Sequence, residues 1–336
     1  MKKAFTLFEL IVVIIIMGML GVISVEILQR VYKDYIVSRE LSKLSVETDN
    51  VLNILAAKLR NRIKNSVIAV ECNASNTNSA SSDSCLYNGN KNFISISRIG
   101  LSANSDKYPV LEWLYVSSYS KKGMWWDDKK GYVQPGWSGF VDLKETNVSG
   151  GDEYNISTPD SNFTIVQYID GNYSQRWGLP GYVNVFDSNI TTLVFSGSDG
   201  RGDFSDINTS YGYYDTNITR VFKITEINDT RLNLKAFSES NSSTVYEGYY
   251  LVRGAMAVVP VYIPKYNDYN VTLRFNYFPW NHQNYMDGNV SVLASHVTQF
   301  KFKEEGGILR IYMCISSPKV KFNDYNLTIC KEKVVF

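Results

Sequence analysis

The chain has 336 residues, with 34 Lys plus Arg against 33 Asp plus Glu, so the formal net charge is +1. Near neutrality without a basic block argues against a dedicated nucleic-acid-binding surface. There are only two His and no Walker loop, G-x-S-x-G or H-E-x-x-H, so the sequence carries no enzyme signature and points to no metal or cofactor.

After Lys2 and Lys3, an apolar run covers residues 5–25, interrupted by one acid, Glu9. The run is long enough to span a bilayer, and the two lysines place its start on the cytoplasmic side. An uncompensated acid near mid-bilayer costs roughly 2.5–3.5 kcal/mol, less toward an interface, so a retained one reads as functional. A cleaved secretory signal would need a small-residue cleavage site, but Val25 runs straight into Glu26, Ile27, Leu28, Gln29 and Arg30. A plain signal anchor explains the lysines and the length but leaves Glu9 without a role.

Lys3, Ala4, Phe5, Thr6, Leu7, Phe8 and Glu9 together resemble the leader of type IV pilins and pseudopilins, in which a prepilin peptidase cuts before the Phe and methylates the new amine. The resemblance implies a leader over residues 1–4, a cut between Ala4 and Phe5, an N-methylated Phe5, and Glu9 as the assembly acid at the mature fifth position. Ala4 stands where the family usually has Gly, and Glu26 where many major pilins have a kinking Pro; Gly18 falls at a family-typical helix glycine. Glu9 is four helical steps from Phe5, about 6 Å along the axis, so in a lone subunit it can stay near the interface. Among packed helices it can pair with the Phe5 amine of a neighbour, an arrangement that sets register rather than adding stability.

Residues 26–70 contain no Pro or Gly, and Leu28, Val31, Tyr35, Leu41, Leu44, Val51, Leu55, Leu59 and Ile63 recur mostly at three- or four-residue steps. This predicts one amphipathic continuation of the membrane helix. The whole rod, from Phe5 to about Val70, would be roughly 95 Å long. Its heptad is irregular, so the second half is expected to pack on the chain's own head rather than in a coiled coil.

Residues 71–92 read as a polar loop and linker in which Cys72 and Cys85 bracket a run of small polar residues. Beyond them, β-branched and aromatic segments at 93–99, 163–169, 190–195, 220–227, 271–278, 297–302 and 308–315 alternate with turn residues. Residues 93–336 are therefore expected to form a β-rich head of about 240 residues, enough for one core or two abutting sheets. The fold class is α+β, a long N-terminal helix packed on that head.

Four cysteines beyond a membrane anchor suit an oxidising compartment. Three pairings exist, and we favour Cys72 with Cys85 and Cys314 with Cys330, because each closes a short loop; a loop of about 15 residues contributes around 3 kcal/mol in the chain-entropy model. The second pair also resembles the disulfide-bounded C-terminal region of many pilins. No C-x₂₋₄-C spacing supports zinc.

The asparagines carry a second pattern. Thirteen occupy N-x-S/T acceptors: Asn73, Asn147, Asn155, Asn162, Asn172, Asn189, Asn208, Asn217, Asn228, Asn241, Asn270, Asn289 and Asn326. Every one has Asp or Glu two residues upstream, and none of the other seventeen asparagines does. With acids at about a tenth of positions, that coincidence has a chance of roughly 10⁻¹³. Clustering of Asp and Asn in turns would enrich both sets. The extended motif resembles the acceptor of the bacterial periplasmic oligosaccharyltransferase, which implies a head that has crossed the inner membrane. No acceptor lies in residues 1–70, where a hydrated glycan would be incompatible with lipid or a packed helix core.

Asp199, Asp203 and Asp206 offer oxygen donors, but their spacing is not that of a calcium loop. Trp125, Trp126 and Trp137 read as buried hairpin aromatics, with a carbohydrate-stacking surface as the rival. Residues 49–60, 292–302 and 308–312 resemble the helix end and closing strands of large minor pilins and pseudopilins, the kinds called W in pili and J in type II secretion. The resemblance implies a subunit that primes or caps a pilus-like or secretion filament, in the inner membrane with a periplasmic head before assembly. Its partners would be the prepilin peptidase, other pilins through the N-terminal helix, the inner-membrane assembly platform and the oligosaccharyltransferase. A heavily glycosylated major filament subunit and a signal-anchored adhesin that never polymerises are the alternatives.

Overall fold

The computed structural model describes residues 7–71, 92–99, 107–123, 125–127, 132–149, 153–176, 184–196, 211–214, 218–237, 245–322 and 325–336. It begins with one 53-residue helix, α1 (Leu7–Leu59). There follow β1 (Ile68–Val70), β2 (Phe93–Ser95), β3 (Val110–Val116), the short helix α2 (Ser118–Lys122), a two-strand ribbon of β4 (Trp125–Asp127) and β5 (Tyr132–Gln134), β6 (Asp142–Ser149), β7 (Glu153–Ser157) and helix α3 (Phe163–Arg176). The chain closes with β8 (Thr192–Phe195), β9 (Val221–Ile227), β10 (Arg231–Ala236), β11 (Tyr249–Ile263), β12 (Asp268–Tyr277), β13 (Asn289–Glu305), β14 (Ile308–Phe322) and β15 (Tyr325–Val335).

Among the described residues, thirteen strands form one antiparallel sheet in the order β15-β14-β13-β12-β11-β8-β9-β10-β7-β6, with β3 paired to β11, β1 to β3, and β2 to β1. The fold is α+β, as the sequence leads one to expect. The β13–β14 hairpin turns through Gly306 and Gly307, both at positive φ (61° and 78°), which a two-residue turn of the primed type requires. In β11 the register shifts between Val252 and Ala255 around Gly254, whose φ is 125°. A Cβ there would come within 3.1 Å of the Tyr277 carbonyl, so the bulge depends on glycine.

The sheet is buried on both faces where β3 and β11 cross its middle. Alternate β3 residues serve opposite cores: Val110 and Leu114 face one cluster, while Leu111, Trp113 and Tyr115 face the other. Strands covered on both sides read as continuous apolar runs rather than alternating ones, and β3 does so. The first cluster holds Phe163 and Val166 of α3 with Tyr154, Phe195, Phe222, Leu251 and Trp280. The second holds Leu44, Val51, Leu52, Leu55 and Leu59 of α1 against Val258, Val271, Val297, Ile311 and Met313. The expected docking of the helix's second half on its own head is what the structure shows.

Polar contacts pin that docking at its edge. Ser317 Oγ donates to Glu40 Oε1 (2.8 Å), and Lys331 Nζ donates to Ser45 Oγ (2.7 Å) and pairs with Asp49. Near the end of α1, Arg62 Nη1 donates to the Leu59 carbonyl at 2.8 Å.

Three expectations need correcting. The helix ends at Leu59, not near Val70. From Ile63 onward the chain is rich in β-branched residues, and the Ile63 amide bonds the Leu114 carbonyl (3.0 Å) while the Val116 amide bonds that of Asn61 (2.8 Å). The sheet edge thus recruits backbone that would otherwise extend the helix. Residues 163–169 form the first half of α3, not a strand. Asn162 caps that helix, accepting the Ile165 amide at its Oδ1 (3.1 Å) and the Val166 amide at its carbonyl. The burial of Phe163, Val166 and Asp170 follows a helical period. The closing strands are also far longer than the apolar segments read from sequence, with β13 running to 17 residues.

Candidate functional site

Up to Tyr35, the side chains of α1 are exposed on every face, apolar ones included; Leu7 is 78% and Leu28 73% exposed. A helix apolar all round needs lipid or other apolar helices as its surroundings. This segment is long and apolar enough to cross a membrane. The one acid in its first turn is Glu9, exposed, at the end where the helix dipole favours negative charge. Ser24 Oγ spends its hydrogen on the Leu20 carbonyl (2.7 Å), so this hydroxyl is compatible with an apolar environment. Ala4 and Phe5 lie outside the described residues.

The burial pattern makes the two halves of α1 separable. A chain starting at residue 36 keeps every α1 side chain that packs on the head. It should be soluble without detergent and melt within about 3 °C of the full protein, because none of the described residues it removes is buried. Thermal unfolding of both forms, the full chain in detergent, is the check; a truncated head that aggregates would mean that the first half supports the fold.

The asparagines of the N-x-S/T motifs fall at contrasting places. Asn147 in β6, Asn228 in the β9–β10 turn, Asn289 at the start of β13 and Asn326 in β15 are exposed. Asn155 in β7 is half-buried; its Nδ2 donates to Asn233 and its Oδ1 accepts from Arg231 Nη1 (3.0 Å). Asn162 caps α3, and Asn172 lies half-buried within it. Asn189 sits at positive φ (53°), and Asn270 is half-buried in β12. Asn73, Asn208, Asn217 and Asn241 lie outside the described residues, as do Cys72, Cys85, Asp199, Asp203 and Asp206.

The upstream acids divide more sharply. Glu145, Glu153, Asp160, Asp187, Glu226 and Asp287 are exposed, several in loose surface pairings such as Glu145 with Arg231 (3.2 Å) and Glu153 with Lys235 (3.7 Å). Asp170 and Asp268 are buried, at 1% and 5% exposure. Asp170 accepts hydrogen bonds from Ser117 Oγ (2.6 Å), Thr191 Oγ1 (3.3 Å) and Ser120 Oγ (3.4 Å). Burial pushes its carboxyl above the usual carboxylate range, opposed by the charge of Arg253 and by those three hydroxyls. Asp268 Oδ2 accepts from His296 Nδ1 at 2.7 Å, and His296 in turn meets the Tyr266 ring edge-on.

Comparisons with protein-family models, with curated proteins and with solved structures found no match.

Cys314 and Cys330, register partners on β14 and β15, form a disulfide, the pairing favoured from sequence. Trp137 is fully buried and its indole N–H donates to the Ser117 carbonyl and Ser120 Oγ, both 3.2 Å away, so it is a core residue and not a stacking surface. Sequence reasoning missed two buried polar clusters. One is the Asp170 group; the other is Glu112, 1% exposed, which accepts from Tyr214 (2.7 Å) and Tyr277 (2.8 Å) hydroxyls. Burial holds both of these tyrosines well above the ordinary phenol range. The only sequence signal for the second was an acid inside the apolar run of β3.

Proposed function

We propose that this chain is a minor pilin or pseudopilin that primes or caps a type IV pilus-like or type II secretion filament. The observation that carries the reading is α1: one unbroken helix whose leading half is apolar and exposed all round, with an acid in its first turn, and whose second half is built into a β-rich head. Such a helix is uncovered in the isolated chain and fits two successive environments, the bilayer and then a bundle of like helices. The exposed acceptor asparagines with upstream acids support a second element of the proposal, that the head is a substrate of a periplasmic oligosaccharyltransferase. The head belongs on the periplasmic side, and the anchor is a single pass.

Terminal peptide mass spectrometry tests the first step. The expected mature chain begins at Phe5 with a methylated amine, and finding intact Met1 or a cut near Ser24 removes the pilin reading. Stoichiometry in sheared filaments then separates the alternatives. A minor subunit is near the detection limit, a glycosylated major subunit dominates the preparation, and a non-polymerising adhesin is absent.

A further inference from the structure

Resting on the acceptor reading above, we propose that glycan is transferred to this head before it folds, and that Asp170 and Asp268 serve first as recognition acids and only afterwards as core residues.

A transferase that reads D/E-x-N-x-S/T must reach the acid, the asparagine and the hydroxyl residue together, across five consecutive residues. In the folded head this is impossible at two sites. Asp170 and Asn172 both lie on α3, where two residues turn the side chain by about 200°, and the acid faces the core while the asparagine stays half-exposed. Asp170 is enclosed by Ser117, Ser120 and Thr191, contributed by α2, the residue before it and the segment leading into β8. Asp268 is held by His296 of β13, while Asn270 is paired with Val261 of β11. Presenting residues 268–272 would require β12 to separate from both neighbours in the middle of the sheet.

These two acids nonetheless obey the same offset as the exposed ones. A structural need for Asp170 explains an acid in the core, but not why Asn172, Tyr173 and Ser174 follow it as an acceptor. With acids at about a tenth of positions, the chance that both buried sites acquired their acid without being read is about one in a hundred. Selection for reading at these sites and burial of the acids are compatible only if reading comes first. The folded state accommodates the product, because both asparagine side chains remain partly exposed while their acids are inside.

The test uses the full-length chain in cells where a bacterial periplasmic oligosaccharyltransferase, supplied with its lipid-linked glycan, is induced separately. In one arm the enzyme is present during synthesis of the chain; in the other it is induced after synthesis has stopped and the head has folded. Glycopeptide mapping should find Asn172 and Asn270 occupied in the first arm and bare in the second, while the exposed Asn228 and Asn289 are occupied in both. Equal occupancy of Asn172 and Asn270 in the two arms would overturn the proposal. So would their being bare in both arms while Asn228 and Asn289 carry glycan. Thirteen bare asparagines in both arms would instead remove the acceptor reading on which it rests.

Discussion

If the chain is the filament subunit proposed above, replacing Glu9 by leucine should leave it inserted and processed but reduce its incorporation into filaments by at least about tenfold, which corresponds to about 1.4 kcal/mol of docking free energy. The substitution makes the span more apolar, so insertion is favoured rather than hindered. Glu9 lies in the first turn of α1, on a segment whose described side chains are exposed as far as Tyr35. In a bundle of apolar helices, a carboxylate can meet the amine of a neighbouring mature terminus only at one axial offset. Any other offset leaves a charge unpaired in a low-dielectric core. On that reading the carboxylate acts as a register mark, and leucine permits many offsets of similar energy. Immunoblots of sheared filaments against the inner-membrane fraction measure the effect, with terminal mass spectrometry confirming that the variant is cut. A variant that is incorporated at the wild-type level would show that the acid has no assembly role.

The largest stability effect is expected at Asp170. Asp170→Ala removes the acceptor shared by Ser117, Ser120 and Thr191 and uncovers the buried charge of Arg253, 5% exposed. Breaking a buried charged cluster from one side costs about 3–5 kcal/mol. In a head of this size that lowers the melting temperature by about 6–20 °C. Asp170→Asn retains the shape and one acceptor and should cost less. The pair also gives a signed pH dependence. Because the folded-state carboxyl is shifted upward, the stability that its titration contributes is fully present below the unfolded pKa, near 3.8, and is lost as pH rises through the higher folded value. Lowering the pH from neutrality toward 4 should therefore raise the stability of the wild type relative to Asp170→Asn. Urea unfolding at several pH values reads the difference, and a constant gap between the two proteins would show that the carboxyl is not desolvated as the fold implies.

Local patterns in the sequence were sufficient wherever one residue's neighbours in the chain are also its physical environment. The run from Phe5 through Val25 is apolar all round, and no tertiary contact is needed to know that water is a poor surrounding for it. The docking stripe through Leu44, Val51, Leu55 and Leu59 repeats at helical spacing, so the buried face of the second half was legible. Cys314 and Cys330 close a short loop, and strand pairing brings them together as expected. The end of α1 was not legible, because the competing partner for its backbone, β3, lies some fifty residues further on. Helix α3 reads as a strand in the sequence because Ile165, Val166 and Ile169 have strand-like chemistry. The Asn162 cap and the core beneath Phe163 and Val166 decide otherwise.

The sequence by itself determined the long apolar run, the acid within it, the β-rich class of the head and the thirteen-fold pairing of an acid with an N-x-S/T asparagine, since each is a property of composition or fixed spacing along the chain. Only the tertiary structure decided which of those acids face water. Asp170 and Asp287 carry the same local motif, yet one is sealed beneath α2 and the approach to β8 while the other sits on an exposed turn. Burial is set by elements distant in sequence, and a five-residue motif contains no information about them.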